Sequence, residues 1–402
     1  MELVFGMKDV HPPELKIRRH IEELLSKTFE TWGYEEADTP TLEYHATFNR
    51  VLGEEQMKQV YQFVTRGGKL VCLRPEFTTS IARMYSRKFA EKLIPARVYY
   101  AGKIFRLPSS PFRSETELTQ VGCEHIGTTG SLADAEMIAL TLSALKNVGI
   151  EDCVLDIGHV GFIRGIIGAL ELDPESRELL IKSVRRKDFQ AIRYWIETGA
   201  RKDRAPARLL VELPFLRGGE EILDRHRNLF PRSDDFRQAE DNIRKIYARL
   251  REFRLDDSVF LNLGLTRDYD YYTGLIFEGF SPHVGYPLVV GGRYDELFRL
   301  FGKNYPACGL VFFTERLVEV FQKTGSLPIA FHGPLVIHHP PGRCAEAFTL
   351  ACELRTRGIP VVAEEDGRTQ KFRFTRDQAE LPVYDCDPEQ ICRILQGGGQ
   401  DE

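Results

Sequence analysis

Residues 265–280 read LTRDYDYYTGLIFEGF. One arginine, two aspartates and three tyrosines stand together at 267–272, and an apolar run follows. Aromatic residues suit a pleated, half-buried surface, so the stretch reads as a strand. Taken alone, a Tyr-rich strand is ordinary packing. It becomes a site only if other segments bring chemically matched side chains beside it.

On either side the texture is that of a sheet. SVFLNLGL (258–265) precedes it, and YPLVVGGRYDEL (286–297) follows. Then FTERLVEVFQKTG (313–325) has helical spacing and a terminal glycine. Toward the N-terminus, Ile17, Ile21, Leu24 and Leu25 form one apolar face of a helix over 14–32. LVCL (70–73), ARVYYAG (96–102), ELTQVGCEHIG (117–127) and DCVLDIGHV (152–160) read as strands. TTSIARMYSRKFAEK (78–92) and SLADAEMIALTLSALKNVG (131–149) read as helices. The second is expected to start on a Ser131 cap with Asp134 at the third position, and to stop at Gly149.

From about 161 to 255 Arg, Lys, Glu and Leu recur at helical spacing, as in RQAEDNIRKIYARLREF (237–253), which reads as a helical insertion. Residues 326–402 run strand, helix, strand (PLVIHH, RCAEAFTLACELRTRG, IPVVAEED), a small α/β module. The expected fold class is therefore α+β. It comprises a core over 1–325, a helical insertion at about 161–255, an antiparallel sheet with flanking helices, and a small C-terminal module over 326–402.

Composition limits the function. The chain has 402 residues, 43% hydrophobic and 28% charged, with a formal net charge of −5. A protein that grips many phosphates usually carries a basic excess, so a large nucleic-acid footprint is not expected. The eight cysteines include no Cys-x-x-Cys and no zinc-ligand spacing. They read as reduced thiols of a cytosolic protein. MELVFGMKDVHPP lacks the apolar stretch of a signal peptide, and no apolar run reaches the roughly 20 residues that span a membrane. There is no dinucleotide or P-loop glycine motif. His338–His339 looks like a metal pair, but adjacent strand residues point to opposite faces, so no metal is expected. Arg185–Arg186–Lys187 reads as a solvated charge run, with partner contact the alternative.

Four separated segments carry a pattern together: LRPEFTTSIAR (73–83), KIFRLPSSPFRSETELTQVGCEHIG (103–127), the quoted stretch, and VVGGRYDEL with PACGLVFFTERL (289–317). In order and spacing they resemble the class II histidyl-tRNA synthetase core over roughly 5–320. GMKDVHPP, and TPTLE (39–43), which is similar to the family's dimer-forming motif, extend the likeness. Two families share this core: the synthetases, and the regulatory subunits of ATP phosphoribosyltransferase.

The residues discriminate between them. A zwitterionic amino acid needs carboxylates for its ammonium and imidazole N–H, and a guanidinium for its carboxylate. The resemblance assigns these tasks to Glu76, Thr78, Gln120, Glu124, Arg267, Tyr272 and Tyr294, each of the expected type, and Arg106 is also retained. ATP chemistry needs fixed cations and a slot for the base, and on that side the pattern breaks. Pro108 and Ser109 replace a Glu and an Arg of the family loop, Thr116 and Leu118 replace a return-strand Arg and Phe, and Phe313 stands where a glycine is expected. Arg316 is kept. Residues 327–402 are acidic and short for an anticodon-binding domain.

The resemblance thus implies a histidine-binding regulatory subunit without catalytic residues, cofactor or metal. Its partners would be a short-form ATP phosphoribosyltransferase catalytic subunit and a second copy of itself, as a homodimer or within a higher hetero-oligomer. No nucleic acid or membrane contact is implied. The alternative is a divergent histidyl-tRNA synthetase.

Overall fold

The computed structural model describes residues 2–107, 116–198, 205–267, 269, 271–326, 333–377, 379–381 and 387–395. Pro108 and Ser109 of the family loop lie outside them. The chain divides into two units, Met1–Pro328 and Ile329–Glu402.

In the first unit, the N-terminal helix runs Pro12–Thr31, with prolines in its first turn, where a missing N–H costs no hydrogen bond. Ile21, Leu25 and Phe29 are fully buried. Burying such a side chain stabilises by about 1.5–3 kcal/mol, so this face anchors the helix on the sheet.

Among the described residues that sheet has nine strands. Its middle is antiparallel throughout, running in spatial order Ala96–Phe105, Glu117–Ile126, Ala307–Phe313, Val289–Arg293, Leu275–Phe280 and Val154–His159. Parallel pairs occur toward the edges: Glu35–Glu36 on Ala96–Phe105, and Val259–Asn262 on Val154–His159. The expected strands ARVYYAG and ELTQVGCEHIG pair antiparallel, with ten residue pairs from Ala96↔Ile126 to Phe105↔Glu117. LVCL lies elsewhere, at the centre of a separate three-stranded sheet between Leu42–Tyr44 and Gln62–Val64.

Two local expectations are corrected. Ser131 does not cap its helix: the cap position is Gly130, with no side-chain bond. Asp134 instead turns inward, fully buried, and accepts from Arg293 Nε at 2.7 Å. A buried carboxylate is costly unless paired, and this long-range guanidinium outcompetes a local cap. Gly149 does end the helix in the left-handed region, at φ +94.

The second correction concerns the quoted stretch, of whose described residues Leu275–Phe280 are strand. Tyr271 and Tyr272 are both buried in one apolar cluster, with ring centroids 4.9 Å apart. Adjacent strand residues face opposite ways, so burying both in one cluster requires irregular backbone.

The insertion is largely helical and ends in Asp234–Phe253, which buries Phe236, Ile243, Ile246 and Leu250. In the second unit Leu335–His339 and Val361–Glu365 pair in parallel across the helix Cys344–Thr356. Among the described residues three elements there go beyond that reading: the antiparallel strands Arg373–Arg376 and Ala379–Glu380, and the helix Pro388–Leu395. His338 Nε2 meets Thr375 Oγ1 at 2.9 Å, whereas His339 is buried beside the Pro340 carbonyl.

Candidate functional site

The site follows from the two-residue period of a strand. In Glu117–Ile126, Gln120, Gly122 and Glu124 fall on one face. The register sets Gly309 opposite Glu124, Val311 opposite Gly122 and Phe313 opposite Gln120. Gly309 is required there, because a Cβ would collide with Glu124 Oε2. Tyr100 faces Gly122 from the other neighbouring strand, where a Cβ would strike the tyrosine ring.

Over this face close the start of the helix Thr78–Tyr85 and the irregular segment before Leu275. Together they enclose a cavity of about 30 Å³. All eight side chains named from the sequence line it: Glu76, Thr78, Arg106, Gln120, Glu124, Arg267, Tyr272 and Tyr294.

Glu124 is buried among them. Its Oε1 accepts from Thr78 Oγ1 at 2.8 Å and from the Tyr100 hydroxyl at 3.1 Å, and its Oε2 accepts from the Tyr294 hydroxyl. Burial pushes its carboxyl up to about 8, against the lowering effect of those bonds, and the nearby Glu76 adds to the rise. Glu76 accepts from the Thr79 backbone N–H through both oxygens, at 3.0 and 3.1 Å. Burial raises its pKa as well, against those hydrogen bonds and the positive charge of Arg106. Two neighbouring carboxyls that favour protonation suit a ligand that brings positive charge or donated N–H groups.

Arg267 pairs with Glu278 at 2.5 Å. Arg106 donates from Nε to the Pro75 carbonyl at 2.6 Å and lies over the Tyr269 ring. Two cations and two carboxyls in one aromatic-walled space match a zwitterion in charge. As it stands the cavity is small.

Sequence reasoning missed several members. Tyr269 and Tyr271 line the cavity, and Tyr100 and Glu278 hold its ligating groups. Tyr100 and Glu278 sit in apolar strand runs with no motif of their own. Phe313, expected on the nucleotide side, lines the same cavity. The Arg316 guanidinium carbon lies 3.8 Å from the centre of its ring and 5.2 Å from that of Tyr286, and Arg316 Nη1 donates to the Pro287 carbonyl at 2.5 Å. Glu315 accepts from the Thr119 N–H at 2.9 Å through each oxygen and pairs with Arg18 at 3.4 Å. Among the described residues no His, Cys, Asp and Glu cluster could hold a metal, and no helix is long and apolar enough to cross a membrane.

Comparison with known proteins bears on the same residues. A family model described as histidyl-tRNA synthetase matches residues 6–317. A protein of Moorella thermoacetica named ATP phosphoribosyltransferase regulatory subunit is 34% identical over 381 residues, 94% of this chain and 96% of that one. One of Desulfitobacterium hafniense (strain Y51), with the same name, is 37% identical over 314 residues, 78% and 80% of the two chains. A crystal structure from Bacillus halodurans, titled as an ATP phosphoribosyltransferase regulatory subunit/histidyl-tRNA synthetase, superposes with a TM-score of 0.80 at 28% identity, covering 92% of this chain and 94% of that one. The histidyl-tRNA synthetase of Nostoc sp. PCC 7120 shares the fold, with a TM-score of 0.69 at 19% identity over 92% and 86% of the two chains.

Proposed function

The chain belongs to the family of ATP phosphoribosyltransferase regulatory subunits, and on that premise we propose that it is a histidine sensor. In this reading it binds histidine in the Glu76–Glu124 cavity. It activates and feedback-regulates a short-form catalytic subunit in the first step of histidine biosynthesis, in the cytoplasm, and turns over no ATP itself.

One observation carries the reading. The groups suited to a zwitterionic imidazole ligand converge on one cavity, while the arginine kept from the nucleotide side is covered by an aromatic ring. Glu124 takes the imidazole N–H, Glu76 the ammonium and Arg267 the α-carboxylate. The last step requires Arg267 to share or leave Glu278. Gln120, Thr78, Tyr272 and Tyr294 complete the polar lining.

In the same reading, self-association uses the segment around Pro40. Exposed apolar side chains there, Leu42, Tyr44, Phe63, Val64 and Leu70, suit a covered interface. The second reading, a divergent histidyl-tRNA synthetase, is favoured by the presence of both Arg106 and Arg267 in the cavity.

Two measurements on the purified protein separate the readings. The proposal expects saturable histidine binding by calorimetry, and no histidine-dependent ATP–pyrophosphate exchange above background. Robust exchange would replace it with the synthetase reading.

A further inference from the structure

A second cavity, of about 200 Å³, abuts the first and shares Arg267, Tyr269 and Tyr272 with it as a common wall. Two helices of the insertion roof it, Val160–Gly168 and Pro174–Arg185. Each turns a mixed face inward at helical spacing: Ile163, Arg164 and Ile167 from the first, Arg177, Ile181, Val184 and Arg185 from the second. Leu265 and Ile276, both buried, form the apolar floor.

Its charge is one-sided. Four guanidinium groups line it, and among the described residues no carboxylate does. Arg267 is held by Glu278, behind the wall. Two acids of the second roof helix are engaged within it: Glu178 pairs with Lys182 at 2.7 Å, and Asp173 caps the helix by accepting from the Ser176 N–H at 3.0 Å. Arg164 and Arg177 are exposed at the mouth and make no ion pair or side-chain hydrogen bond with described residues. Solvated helix arginines are commonly matched by acids three or four residues away; here the unmatched ones converge on an apolar hollow.

We propose that this cavity is a binding site for a small organic anion. A carboxylate or phosphate group would be held by Arg164, Arg177 and Arg185 at the mouth, and an apolar body would be held between Ile163, Ile167, Ile181 and Val184. The volume lies below that of drug-sized pockets, so the body is a single ring or a short chain. Arginine suits either head group, because its planar fork pairs with both. An anion seated deep in the cavity also competes with Glu278 for Arg267, which links the two cavities.

Ligand-observed NMR on the full chain tests this with four probes: benzoate, phenyl phosphate, benzyl alcohol and inorganic phosphate. At least one of the two ring-bearing anions should bind saturably, and more tightly than both the neutral alcohol and inorganic phosphate. Which of the two binds better identifies the head group. In the double variant Arg164→Gln/Arg177→Gln the affinity should fall roughly tenfold, since charge-assisted hydrogen bonds are strong but these groups are partly solvated. Ile181→Trp, which fills the cavity without changing charge, should abolish binding, with folding verified by thermal melts. Failure of both ring-bearing anions to saturate, equal binding of benzyl alcohol or inorganic phosphate, or full affinity in either folded variant would overturn the proposal.

Discussion

The Arg316 guanidinium carbon lies over the Phe313 ring, 3.8 Å from its centre, while the same ring lines the Glu124 cavity. One aromatic side chain thus lines the Glu124 cavity and also meets the retained Arg316 cation. A guanidinium stacked on a ring and bonded to the Pro287 carbonyl is poorly placed to meet a triphosphate.

Phe313→Ala should therefore leave ATP–pyrophosphate exchange at background, because freeing Arg316 does not rebuild a nucleotide site. Phe313 is 4% exposed, and truncating a buried phenylalanine costs about 3–5 kcal/mol. A clear fall in thermal stability without gained exchange is expected. Exchange appearing in this variant would show that the ring alone blocks activity.

Glu124→Ala and Arg267→Ala should each weaken histidine binding about 10- to 150-fold, since hydrogen bonds to charged groups contribute roughly 1.5–3 kcal/mol. Arg267→Lys should recover only part of the loss, because an ammonium cannot make two parallel bonds to a carboxylate. Calorimetric titration into each folded variant reads the effect. Unchanged affinity in both alanine variants would place the ligand elsewhere.

The raised pKa of Glu124 gives a pH signature. Folded, the carboxyl keeps its proton up to about pH 8; unfolded, it ionises near 4.5. Between these values the folded state binds more protons, so stability falls as pH rises through the window, by an amount on the order of a few kcal/mol. Glu124→Gln keeps the shape without the titration. Thermal melts from pH 5 to 8.5 should therefore fall less steeply with pH in this variant. Parallel slopes would show that Glu124 is not the group responsible.

Arg293→Met should destabilise the first unit by about 3–5 kcal/mol, because it leaves the fully buried Asp134 without its guanidinium. Denaturant unfolding measures this. A loss under 1 kcal/mol would mean that Asp134 is readily accommodated as the neutral acid.

What was readable in the sequence, and what was not, divides by the range of the interactions. Gln120 and Glu124 share a face by strand period alone, so the strand and two site residues could be read locally. Glu76 and Thr78 flank a helix start with its own pattern. The backbone of 265–274 could not be read this way. Its tyrosines look like a strand, whereas Tyr271 and Tyr272 are buried together, their rings near that of Tyr294. Asp134 stood at capping-box spacing from Ser131, but its real partner Arg293 is 159 residues away. Tyr100 and Glu278 lay unmarked in apolar runs. Their roles arise from strand register, which brings Tyr100 to Gly122 and Glu278 to Val290.

The most direct measurement of the central claim is reconstitution with a purified short-form ATP phosphoribosyltransferase catalytic chain. The rate of phosphoribosyl transfer is followed with and without this protein, over a range of histidine concentrations. The account predicts that adding the protein raises the rate, that histidine then inhibits, and that Glu124→Ala shifts the inhibition to higher histidine by about the factor lost in binding. A catalytic chain equally active and equally histidine-sensitive without this protein would contradict it.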